Sequence, residues 1–161
     1  MKKILLIFIL ALMFGCADND KTVTSLENQI KELKEELSNS YKPGYGEIMG
    51  NIQIHHSKLW FAGEGENWEL AEFEIHEIIE GLDDIEKYQK DRVENEKMFM
   101  IKPALDSISK IIEHKNLEQF KSNYEFLTES CNACHKETKY EFIKIIVPST
   151  KPCVNQEFKI N

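Results

Sequence analysis

Between Thr22 and Ser40 the apolar residues Val23, Leu26, Ile30, Leu33 and Leu37 recur at spacings of 3, 4, 3 and 4, with Lys and Glu filling the gaps. Thr24 and Glu27 form a capping box at the start of this stretch. The pattern predicts one short heptad helix. At about two and a half heptads it is short for an independent coiled coil, so a spacer helix, a docked arm and a dimer seam all stay open. Tyr41-Lys42-Pro43-Gly44-Tyr45-Gly46 breaks the rhythm and marks a domain boundary.

Beyond that boundary the periodicity predicts four helices. The first spans about 43–62, with Pro43 in its first turn and Gly63 as its C-terminal cap. The second follows Asn67: Trp68, Ala71, Ile75, Ile78, Leu82 and Ile85 trace an apolar stripe, and Glu72, Glu74, Glu80 and Asp83 are expected on the wet side. The third covers roughly 94–113 and is kinked or restarted at Pro103, before Leu105, Ile108, Ile111 and Ile112. Asn116 caps the fourth, where Leu117, Phe120, Tyr124, Leu127 and Cys131 keep the same beat. Residues 140–147 are rich in β-branched and aromatic types, and Pro148 and Pro152 exclude helix, so an extended tail is expected to fold back across the helices. The expected fold is all-α: a four-helix bundle over 43–161 with an N-terminal spacer helix and an extended C-terminal tail.

The N-terminus changes the picture. Lys2 and Lys3 precede an apolar run from Ile4 to Phe14, followed by Gly15 and Cys16, which reads as an export leader over 1–15. The run is too short to span a bilayer as a helix. Cys16 after Gly15 resembles a bacterial lipobox, which implies a diacylated thiol, a lipid anchor and spacer over 16–42, and a location outside the cytoplasmic membrane. A plain secretory signal is the alternative. The formal charge of −8 includes Lys2 and Lys3, so removal of the leader takes it to −10. Nucleic acid and anionic membrane surfaces are poor partners for such a chain.

One motif carries specific chemistry. Cys131-Asn132-Ala133-Cys134-His135 has the C-x-x-C-H spacing of covalent haem attachment: two thiols can add to the two porphyrin vinyl groups, and the adjoining imidazole serves as proximal iron ligand. In an exported chain this reading outweighs a thioredoxin-like dithiol, for which no βαβ pattern is present. A zinc site from Cys131, Cys134 and His135 with a fourth ligand such as Cys153 is the competing assignment. Cys153 otherwise has no role. The sequence offers no Ser-His-Asp order, phosphate-cradling glycine loop or H-E-x-x-H, so no catalytic residues are expected.

Up-down helices with a single C-x-x-C-H near the C-terminus resemble the c-prime cytochromes. In that family the last of four helices carries the haem and the first supplies the residue over its distal face. The resemblance covers about 43–135. The stretch His56-Ser57-Lys58-Leu59-Trp60-Phe61-Ala62-Gly63 with Asn67-Trp68 also looks like a segment of bacterial proteins ending in Cys-Asn-Ala-Cys-His. The resemblance implies a distal ligand from the first helix. Met49 and His56, seven apart and within about 20° of one face, are the two candidates; Met would raise the potential and His would lower it. His55 and His76 are expected in solvent and His114 at a helix end, while Trp60, Phe61 and Trp68 suit either a haem wall or plain core. The expected function is single-electron transfer to redox partner proteins by one covalent haem c. The alternative is a gas-binding or sensing protein with an open distal position.

Overall fold

A computed structural model describes residues 17–40 and 42–160. The export leader and Cys16 lie outside the described residues. The chain forms two compact units divided between Lys42 and Pro43. The first contributes one helix, α1 (Ala17–Ser40), on which Val23, Leu26, Ile30 and Leu33 form an exposed apolar stripe.

The second unit is all-helical, with no strand among the described residues: α2 (Tyr45–Glu64), α3 (Trp68–Tyr88), a 3₁₀ segment (Val93–Met100), α4 (Lys102–Glu113) and α5 (Leu117–Glu137). The expected caps of two helices are in place. Asn67 Oδ1 accepts from Leu70 N–H at 3.2 Å, and Asn116 Oδ1 accepts from Gln119 N–H at 3.0 Å. Both bounds of α2 differ from the sequence reading: it starts at Tyr45, so Pro43 precedes the helix and Gly44 takes the N-cap position. Gly63 does not cap α2 but lies inside it, buried where a Cβ would collide with the Phe120 ring, and the helix closes at Gly65. Close approach of two helices, not backbone freedom, requires that glycine. The restart expected at Pro103 is present: with no N–H to give, Pro103 sits in the first turn of α4, behind the tighter 3₁₀ segment.

The apolar stripe of α3 packs against α2, and α4 packs against α5. Leu59, Ile78, Ile85, Ile108 and Leu127 are fully buried, each contributing about 1.5–3 kcal/mol by leaving water. An aromatic layer joins α2 to α5: Trp60 stacks on Phe120 and leans on Tyr124, and Trp68 meets Phe120 edge-on. None of these rings lines the cavity described below, so Trp60, Phe61 and Trp68 belong to the core. Phe61 packs on Phe158, whose burial ties the end of the tail to the helices.

Two polar residues depart from expectation. Glu74, read as part of the wet face, is fully buried, and His55, read as solvated, is its partner at 2.7 Å between Nδ1 and Oε2. A carboxylate placed at the α2–α3 contact needs a charge or donor beside it, which His55 supplies from the facing helix. His76 and His114 are exposed. Among the described residues no helix is long and apolar enough to cross a membrane.

Candidate functional site

The C-x-x-C-H motif lies in the last two turns of α5, which run on to Glu137. Helical spacing therefore sets Cys131, Cys134 and His135 on one side, three and four positions apart. All three line a cavity of about 430 Å³ inside the second unit. Facing them across it are Met49, Gly50, Gln53 and His56 of α2, while Leu82, Met98 and Ile101 add apolar surface. Ile143 and Ile145 of the tail close another side. The cavity is in the usual size range for a small-molecule or cofactor site, and its walls are mostly apolar.

The His135 ring is held by the tail. Its Nδ1 lies 2.7 Å from the carbonyl oxygen of Ile143; a carbonyl only accepts, so Nδ1 carries the proton and donates it there. Nε2 is then the nitrogen with the lone pair, the tautomer a metal-binding imidazole requires. The thiols are not prepared for redox exchange. Burial pushes Cys131 up to about 12 and Cys134 also upward, whereas an exchange-active dithiol has a lowered pKa.

His56 also borders the cavity, but its ring is engaged on both sides. Thr128 Oγ1 donates to the Tyr124 carbonyl at 2.9 Å, so it accepts from His56 Nε2–H at 3.0 Å. His56 Nδ1 lies 2.8 Å from the Tyr124 hydroxyl, which is equally close to the His56 carbonyl. This node ties α2 to α5. Burial lowers the His56 pKa from 6.5 to about 4, so between those values the unfolded chain binds a proton that the folded chain refuses. Stability from this group is therefore full above pH 6.5 and falls as the pH drops toward 4, by about 3 kcal/mol in total. Urea titrations across that window should show the loss in the wild type, and His56→Gln should remove most of the slope.

At the cavity mouth stands Arg92, the chain's single arginine. It bonds Glu94 Oε1 at 2.9 Å and the Tyr140 hydroxyl at 3.2 Å, and it lies over the Tyr45 ring at 4.8 Å. Sequence reasoning missed this group because its members come from α2, the 3₁₀ segment with its preceding turn, and the tail. It also missed Asn132, whose amide grips the tail. No spacing signal announces either.

Two observations test whether a large flat cofactor fits. Gly46 and Gly50 are one helical turn apart on the α2 wall, and a Cβ at either would meet nothing within 4 Å. Gly46 is exposed in the first turn of α2, whereas Gly50 is inside the helix, where glycine costs about 0.5–1 kcal/mol relative to alanine, and the protein's own side chains leave that position open. The donors are also suitably divided, with two thiols and one imidazole on one wall and a thioether on the other. A zinc site is not assembled: among the described residues no three His, Cys, Asp or Glu side chains converge, and the Cys153 thiol points instead to Gln156 Oε1 at 3.4 Å. Comparison with protein-family models, with curated proteins and with solved structures found no match.

Proposed function

We propose that this chain is a monohaem c-type cytochrome that passes single electrons between redox partner proteins outside the cytoplasmic membrane, held there by lipid on Cys16. The observation that carries this reading is the shared wall of Cys131, Cys134 and His135 on one apolar cavity, with His135 already in the metal-binding tautomer. Haem bound there would supply one-electron exchange at iron, and no substrate site is needed. The protein's part is to hold and shield it. Cys131 and Cys134 would anchor the ring, His135 would ligate from the proximal side, and Ile52, Leu82, Met98 and Ile101 would exclude water. The arrangement of α2, α3, α4 and α5, with the motif on the last helix and the opposite wall on the first, supports the four-helix-bundle architecture of the c-prime cytochromes. The exposed stripe of α1 suits a spacer between lipid and haem unit.

Denaturing electrophoresis with haem staining tests the proposal directly. Colour should stay with the polypeptide after acid-acetone extraction, and a colourless band defeats the reading.

Met49 is the better distal ligand, since using His56 would break its bonds to Tyr124 and Thr128. Met49→Leu should therefore abolish the weak near-infrared band of a methionine–iron bond, with His56→Gln leaving it in place. Immediate binding of carbon monoxide by a high-spin ferrous wild type would instead favour the gas-binding alternative.

A further inference from the structure

The C-x-x-C-H chemistry makes no demand on its second position, yet here that residue has the most specific contact of the motif. Asn132 pairs with the backbone of Ile145 in both directions: Nδ2–H donates to the Ile145 carbonyl at 2.8 Å, and Oδ1 accepts from the Ile145 N–H at 2.8 Å. A side-chain amide thus stands in for a neighbouring strand. Three residues on, His135 donates to the carbonyl of Ile143. On extended backbone, positions two apart present their carbonyls to the same side, and on a helix, positions three apart share a face. The two contacts are therefore one fitted pair.

The Ile143 N–H is itself bonded to the Tyr140 carbonyl at 2.8 Å, so what Asn132 adds lies on the far side of Ile143, at Ile145. Phe142 is 77% exposed, Ile143 43% and Ile146 64%, so the segment gains little from burial. Before it, Tyr140 is tied by its N–H to the His135 carbonyl and by its hydroxyl to Glu94. After it, Val147 packs on the core. Between those anchors two side chains hold the strap over the motif, His135 at Ile143 and the Asn132 amide at Ile145, and of these Asn132 makes the paired contact.

We propose that Asn132 is a positioning residue for His135, locking the 143–145 strap so that the Ile143 carbonyl stays on Nδ1 and strengthens the imidazole as an electron donor. The inference rests on the haem reading above. An imidazole that donates to a carbonyl is a stronger base toward metal and favours the ferric state, which lowers the potential. Asn132 thereby sets the driving force of electron transfer without touching the iron.

The test is Asn132→Ala in the full haem-loaded chain, read in two ways. Amide exchange at Ile145 should accelerate at least about tenfold as the strap loosens. The ferric–ferrous equilibrium should shift toward ferrous by about tenfold, which for one electron is a potential about 59 mV higher. Asn132→Gln, which keeps the amide, should recover part of both changes. Should Asn132→Ala fail to load haem, Ile145→Pro removes the N–H that Oδ1 accepts, and with exchange read at Ile146 in place of the missing Ile145 amide it should move both readouts in the same direction by less. A wild type without covalent haem overturns the cytochrome reading and this inference together. A loosened strap with unchanged potential, or a changed potential with an unmoved strap, overturns this inference alone.

Discussion

Replacing Cys131 and Cys134 together with serine should reduce covalent haem to background while the helices still form. Each single variant should keep one thioether and stain more weakly than the wild type. The reason is bond count: each thiol faces the cavity from one wall of α5 and can make one thioether, and serine keeps the size and helical position but not the nucleophilic sulfur. Burial of Cys131 makes its thiol a poor nucleophile in the closed fold, which also predicts that loading precedes final packing. Haem added to the folded, haem-free protein should therefore attach slowly, and haem supplied during export efficiently. Optical spectra and intact mass separate these outcomes. Equal covalent loading of the double variant and the wild type would remove the cysteines from the mechanism.

The second large effect is expected at Gly50. Gly50→Leu should make the haem-free chain more stable by about 0.5–1 kcal/mol, because leucine is a far better helix former and finds open space at this position. The same substitution should abolish haem loading, since its side chain would fill the wall that a flat ring must approach. Most substitutions that block a site also damage the fold; this one should raise the urea midpoint and remove the colour. A variant that still loads haem at the wild-type level would show that the glycines of α2 do not form the cradle.

These expectations draw on both levels of description. The helices of the second unit were legible in the sequence because each buries a stripe repeating every three to four residues, and because Asn67 and Asn116 announce their starts chemically. The motif was legible because its chemistry is local: two thiols and an imidazole within five residues have the spacing of haem attachment. Gly63 was misjudged as a cap because glycine at a helix end and glycine at a helix crossing look alike until Phe120, 57 positions later, is seen against it. Glu74 was misjudged for a related reason. Periodicity assigns a residue to a face but does not say that His55 of another helix lies 2.7 Å from its carboxylate.

What the sequence by itself determined, then, is what depends on neighbours a few residues apart: helix rhythm, the caps at Asn67 and Asn116, the break at Pro103 and the residues of the C-x-x-C-H motif. Tertiary structure alone decided what depends on distance across the chain. It engaged both ring nitrogens of His56 with Tyr124 and Thr128, leaving Met49 as the freer candidate on the far wall. It drew Arg92, Glu94, Tyr45 and Tyr140 together at the mouth, and it brought Ile143 and Ile145 back over Asn132 and His135. The physical reason is that a hydrogen bond is decided within about 3 Å, whereas residues far apart in sequence come that close only after the apolar stripes have packed and fixed how the helices cross.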